Sequence, residues 1–352
     1  MTICRVGAED RQGGYGMTWD WWKRFTKLFR GRITTLVGVD FGNGAVKVAE
    51  VSLVGGKPYL RTLAIVEAPR SMLEQEKLEE QELAIELAGL KELLTMALAQ
   101  SGVKGKHAVL AVGGHFLFMR EVIFPKLPPE EFAEAIKWDI PKYVPYEPDS
   151  YYFDYAVTGK AGDELRVLIV AAPKVVVGKL TQVVREAGLT PLAVDIEPLA
   201  LYRTMQGVPN AMVLDVGAAS TQISLFHKSN PVFTRGVQVR GDHFSSAMAL
   251  AEKEDAIGEE LDDFVEELAQ EVRRTAQFFT QQNKQATIDK VIVTGLADCE
   301  KLVSLLRARV DLPVEGHNPL EGMAVNKSFT KPYLQQIGPQ LAVAIGLALR
   351  GE

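Results

Sequence analysis

The sequence predicts an α/β protein of two similar halves with mixed sheets, the first half carrying an inserted subdomain. Three observations predict it. Strand-length apolar runs alternate with amphipathic helical stretches along most of the 352 residues. A strand, an Asp-x-Gly turn and a second, alternating strand occur twice, at Asp40 and at Asp215, 175 residues apart. Between them a proline- and tyrosine-rich run, residues 125–157, breaks the alternation.

Composition sets the outer bounds. With 47% hydrophobic and 24% charged residues, the chain has the make-up of a soluble globular protein and the length for two ordinary domains. A formal net charge of −6 offers no overall electrostatic footprint for nucleic acid, and none is expected as a partner. Cys4 and Cys299 lie far apart without metal-ligand spacing, so neither a disulfide framework nor a zinc site is suggested. His107, His115, His227, His243 and His317 show no ligand spacing either. No apolar run reaches the roughly 18 residues of a membrane span, and the first residues lack a signal-peptide pattern. A cytoplasmic protein is expected.

Residues 1–16 are polar and aperiodic and are expected to be disordered. In residues 17–32, MTWDWWKRFTKLFRGR, Trp21, Trp22, Phe25, Leu28 and Phe29 share one helical face, with Lys23, Arg24, Lys27 and Arg30 around it. Such a basic amphipathic helix either touches a membrane surface or packs on its own body or a partner; the sequence leaves both open. Next, Leu36, Val37 and Val39 lead into Asp40-Phe41-Gly42-Asn43-Gly44, and Val46, Val48 and Val51 then alternate with Lys47, Ala49 and Glu50, the pattern of a hairpin. A third strand is expected at Lys57–Val66, a helix over Gln75–Gln100 closed by Gly102 and Gly105, and strands at Ala108–Val112 and Phe116–Phe124. Pro128 and Pro129 open a helix carrying Phe132, Ala135, Ile136 and Ile140. Pro141, Pro145 and Pro148 then break it into an irregular segment expected to expose its tyrosines to a partner.

Beyond the insert come strand Leu165–Ala171, helix Val175–Ala187 capped by Gly188, strand Pro191–Asp195 and helix Pro198–Met205. The second half opens with strand Ala211–Leu214, the turn Asp215-Val216-Gly217-Ala218-Ala219-Ser220-Thr221, and alternation resuming at Ile223 and Leu225. The acidic run from Glu252 to Glu267 reads as a solvated helix face, and DKVIVTGLADCEKLVSLLRARV as a strand, Gly295 and a helix.

One glycine-bearing hairpin turn needs no ligand to explain it, because Asn43-Gly44 supplies the positive φ angles. Two, in equivalent places of two half-chains, point to one polyphosphate gripped from opposite sides. Successive N–H groups would form an anion nest, Lys47 would add a point charge, and Asp40 would hold a hydrated metal ion. Three further elements fit: the strand-to-helix turn at Gly295, Glu197 opening a helix after a strand, and QEVRRTAQFF, with Glu271, Arg274 and Phe278 on one face.

In this order and spacing the five resemble the actin-like ATPase superfamily, over residues 33–350. The resemblance sharpens to the PilM family of type IV pilus assembly proteins, relatives of the division protein FtsA. It is carried by VGVDFGNGAVKVAEV, KWDIPKYVPYEPDSYYFDY, VLIVAAPKVVVGKLTQVVREAGLTPLAVDIEPLALYRT, VLDVGAAST and GPQLAVAIGLALRGE. It implies an actin-like ATPase fold of two RNase H-like halves, residues 33–114 with 173–208 and residues 209–241 with 288–352. An insert of the FtsA/PilM type would span 115–172 and a small subdomain 242–287.

The resemblance also implies ATP and Mg²⁺ as ligands and a PilN-like N-terminal peptide as partner. It is compatible with other inner-membrane pilus components as partners, with homo-oligomers, and with a place at the inner face of the cytoplasmic membrane. Carried over by position, Asp40, Gly42, Asn43, Gly44 and Lys47 resemble the first phosphate loop, and Asp215, Gly217 and Ser220 the second, Asp40 and Asp215 holding Mg²⁺ through water. Glu197 is placed like the carboxylate that orients the attacking water, and Gly295 like the adenosine turn, with Glu271 and Arg274 near ribose and base. Leu296 stands where a second glycine is usual, and Ala218 and Ala219 stand in a loop that is glycine-rich in enzymatic members. Added Cβ atoms limit how closely amides approach phosphate, so slow hydrolysis or none is expected. The rival readings are an FtsA-like filament protein, whose relatives usually end in an amphipathic helix that LALRGE does not supply, and a small-molecule kinase. The latter lacks its substrate base between the two loops.

Overall fold

The computed structural model describes residues 4–5, 34–42, 44–68, 87–205, 207–254, 258–282, 286–297 and 299–351. The basic helix expected over residues 17–32, the first part of the helix expected over Gln75–Gln100, and Asn43 lie outside them.

Strands β2 (Thr35–Phe41), β3 (Ala45–Val54) and β4 (Lys57–Glu67) form an antiparallel meander. On the other side of β2, β5 (His107–Val112) and then β9 (Thr190–Ile196) run parallel to it. Their near-continuous apolar runs suit strands covered on both faces. Two short strands complete this seven-stranded sheet: β1 (Cys4–Arg5), antiparallel to β9, and β15 (Ala324–Val325), parallel to β4. Cys4–Arg5 thus departs from the disorder expected over 1–16, because β9 offers an open sheet edge that backbone can pair with whatever its side chains.

The second large sheet repeats the plan. Here β10 (Ala211–Val216), β11 (Thr221–His227) and β12 (Asn230–Val237) make the meander, and β13 (Lys290–Thr294) and β14 (Val314–Gly316) run parallel beyond β10. In both sheets the Asp-bearing strand is central, with antiparallel strands to one side and parallel strands to the other.

Helices cover the outer faces. Helix α1 (Leu87–Ser101) and α3 (Lys174–Glu186) close the first core through residues such as Leu90, Leu94, Val176 and Val183. Helices α5 (Gly241–Glu254), α6 (Glu259–Gln282) and α7 (Glu300–Arg307) close the second. Between the sheets lie α4 (Glu197–Arg203) and, after α8 (Lys331–Ile337), α9 (Ala342–Ala348). Every residue of α9 is buried, which fits a helix with no polar face at all.

The insert is a three-stranded sheet, β6 (Phe118–Pro125), β8 (Glu164–Pro173) and β7 (Tyr151–Ala161), with α2 (Pro129–Asp139) on one face. Its tyrosines correct the sequence expectation. Tyr151 and Tyr155 lie on regular strand and are buried, packing with Phe132, Ile136 and Val167, because alternate β7 side chains face α2. The exposed aromatics of the insert are Trp138, on α2, and Tyr152, on β7. Among the described residues no helix is long and apolar enough to cross a membrane.

Candidate functional site

Register brings the two Asp-x-Gly turns to one place. In the first sheet Asp40 pairs with Lys47 across the β2–β3 hairpin, while β5 and β9 end alongside, Val112 opposite Ile196. In the second, Asp215 at the end of β10 is opposite Thr294 at the end of β13. The carboxyl ends of both sets of parallel strands therefore meet, the usual crevice for a ligand in α/β sheets.

The turns touch. A Cβ at Gly44 would stand 2.4 Å from the Ala218 methyl carbon, so the first turn needs a residue without a side chain for the second to approach. Each turn is tied back to its own half. Gly42 N–H donates to Ala45 O at 3.1 Å and Gly217 N–H to Ser220 O at 3.0 Å. The start of α5 braces the second turn, Gly241 N–H donating to Gly217 O at 2.8 Å and Asp242 N–H to Ala218 O at 3.2 Å. Gly241, where a Cβ would press on Gly217 O at 2.8 Å and the Leu296 side chain at 2.8 Å, is a site residue that sequence reading missed.

Four charged groups converge. Lys47 Nζ lies 3.3 Å from Asp40 Oδ2, and Asp40 is buried. Burial pulls the Lys47 pKa down, but the carboxylates of Asp40, Asp215 and Glu197 outweigh it and hold the ammonium above its usual range. Burial and repulsion from Asp40 and Asp215 push Glu197 up to about 8, against the pull of Lys47 and of the Gly114 N–H that it accepts from. Asp215 is pushed up to about 6 by burial and by Asp40, Lys47 opposing. Burial first, and then the surplus of negative charge that three carboxylates around one ammonium leave, raise the pKa values of Glu197 and Asp215.

Glu197 is aimed by its backbone. It is the first residue of α4, with Pro198 behind it in the first turn, and its carboxyl lies over Gly113 in the turn after β5. A Cβ at Gly113 would fall 1.6 Å from Glu197 Oε2. Sequence reading passed over Gly113 and Gly114; the doubled glycine at a strand end was the available signal.

Gly295 joins the cluster by packing: its φ of +92° is open to glycine, and a Cβ there would sit 2.4 Å from Asp215 Oδ1. Glu271 and Arg274 do not join it by any hydrogen bond or ion pair described. Glu271 is engaged by Arg235 of β12 and by Arg274 Nη1 at 2.7 Å, bracing α6 against the edge of the second sheet. Among the described residues no three His, Cys, Asp or Glu side chains are arranged to hold a metal ion directly.

The family model described as type IV pilus assembly protein PilM matches residues 38–352. The chain belongs to the PilM family. A solved structure titled PilM-PilN type IV pilus biogenesis complex is 30% identical with a TM-score of 0.74, over 91% of this chain and 99% of that one. The ethanolamine utilization protein EutJ from Carboxydothermus hydrogenoformans, 17% identical, matches with a TM-score of 0.52 over 90% of this chain and 89% of its own, a likeness of fold alone. The fold is the actin-like ATPase fold, as the sequence resemblance implies.

Proposed function

We propose that this PilM-family chain is an ATP-binding scaffold of type IV pilus assembly at the cytoplasmic face of the inner membrane. It docks the cytoplasmic N-terminal peptide of a PilN-like protein, and nucleotide sets its conformation. The observation that carries the nucleotide reading is the contact of two Asp-x-Gly turns, one from each repeated half, above Lys47 and Glu197. The partner reading rests on the relative solved as a PilM-PilN complex.

In this reading the turn amides other than those of Gly42 and Gly217, which are spent on Ala45 O and Ser220 O, receive the phosphates, and Lys47 gives them a point charge. The residues fit Mg²⁺: a surplus of buried carboxylate oxygen without a direct three-ligand cage suits an ion that keeps most of its waters and is held by one or two carboxylates, here Asp40 and Asp215. Bound there, the ion would neutralise phosphate charge. Gly295 faces the adenosine side, whereas Glu271 and Arg274 would have to leave their ion pairs to reach it. The Ala218 methyl at the loop contact limits how closely backbone amides approach a phosphate, which favours slow turnover.

Nucleotide and peptide are coupled only if the peptide prefers one arrangement of the two halves. The test is calorimetric titration of a peptide copying a PilN cytoplasmic start into the protein, with and without saturating Mg-ATP. The expected result is a peptide affinity that changes by roughly fivefold or more with ATP. Equal affinities would leave a docking scaffold without a nucleotide switch.

A further inference from the structure

The last helix, α9, touches each part of the candidate site from behind. Its Ala344 carbonyl lies where a Cβ of Gly38 would be, at 1.8 Å, two residues before Asp40 on β2. Its own Gly346 receives the Ala200 carbonyl in the same way, at 1.8 Å, in the helix that begins with Glu197. Just before α9, Pro339 O accepts from Gly295 N–H at 3.1 Å and from Thr294 Oγ1 at 2.9 Å, beside Asp215. Just after it comes Arg350.

Arg350 and Arg203 converge on Asp195, the residue two before Glu197. Asp195 is fully buried, its Oδ2 paired with both guanidinium groups and its Oδ1 accepting from Ile196 N–H at 2.8 Å. Arg203, the last residue of α4, also donates from Nη1 to Gly346 O at 2.8 Å. Two guanidinium groups, that of Arg350 nearly buried and that of Arg203 partly exposed, on one buried carboxylate are a poor way to gain stability, since apolar side chains of similar volume would cost less desolvation. What they provide is direction: one carboxylate ties the end of β9, the end of α4 and the segment after α9.

We infer that Asp195, Arg203 and Arg350 form a latch that fixes α4 against α9 and thereby holds Glu197 over Gly113, facing Asp40 and Asp215. All three are positioning residues. The link to nucleotide binding rests on the function proposed above; the link to the placing of Glu197 does not.

The test uses the full chain with Arg350→Ala and Arg350→Lys, because both keep the Asp195–Arg203 pair, whereas removing Asp195 would leave two guanidinium groups facing each other without their anion and could prevent folding. Hydrogen exchange is followed at Gly113–Phe116, at α4 and at β7–β8 of the insert, and Mg-ATP affinity is measured by calorimetry. The expected result for Arg350→Ala is faster exchange at Gly113–Phe116 and α4 with unchanged exchange in the insert, roughly tenfold weaker Mg-ATP binding, and partial recovery of both in Arg350→Lys. Unchanged exchange at Gly113–Phe116 and α4, or a uniform loss of protection that includes the insert, would overturn the latch. If the parent protein binds no Mg-ATP while the local exchange change is present, the nucleotide reading fails and the latch stands.

Discussion

At Gly113 the missing side chain leaves room for the Glu197 carboxyl, and that carboxyl titrates far from its ordinary 4.5, at about 8. The folded state therefore holds this proton more tightly than the unfolded chain does. The resulting stabilisation is fully present below pH 4.5 and is lost as pH rises through about 8. Asp215, raised from 3.8 to about 6, acts in the same direction over a lower window. Glu197→Gln is neutral throughout, so its stability relative to the parent should rise steadily from pH 4.5 to about 8 in urea unfolding; a constant difference would show that Glu197 is not the group described. Gly113→Ala should flatten the same profile, since a φ of −147° admits alanine and the atoms displaced are the mobile end of Glu197. Candidate residues set by their own few neighbours stand out in the sequence: Asp40, Lys47, Asp215 and Gly217 flank or form turns of recognisable grammar, and Glu197 opens a helix. Gly113, Gly241 and Arg350 do not, because what they touch is far away along the chain, Glu197, Gly217 and Asp195 respectively.

Among the elements, α9 carries the tightest packing constraint. At Gly38 and Gly346 a Cβ would meet backbone carbonyls at 1.8 Å, which cannot move as a side-chain tip can. Gly38→Ala or Gly346→Ala should each cost about 3 kcal/mol or more in denaturant unfolding. Gly178→Ala, in mid-helix α3 with open space around it, should instead be neutral to stabilising by about 1 kcal/mol. Equal effects at the three positions would contradict the role given to α9. Most strands and helices were readable to within a few residues, since 2.0 and 3.6 periodicity is local. Strand β7 was not, although its alternation was there: Tyr151, Phe153 and Tyr155 face α2 while Tyr152 is exposed. Three nearby prolines read as irregular backbone, and only the cover supplied by α2 turns those rings into core.

Across the whole molecule, the repeated strand order of the two large sheets is what makes two weak turns into one site. Within the first half Asp40 and Glu197 already outnumber Lys47, and Asp215 adds to that surplus where the halves meet; a bound cation would relieve it. Ligand binding and the relation of the halves are then linked, which is the property a nucleotide-set scaffold requires. The most direct test is calorimetric titration of Mg-ATP into the protein and into Lys47→Ala and Asp215→Ala variants, chosen because they lie on opposite halves. One-to-one binding in the parent, weakened at least tenfold by either change in protein that circular dichroism shows to be folded, is the predicted result. Binding that only one of the two variants weakens, or no binding in the parent, would contradict a site shared between the halves.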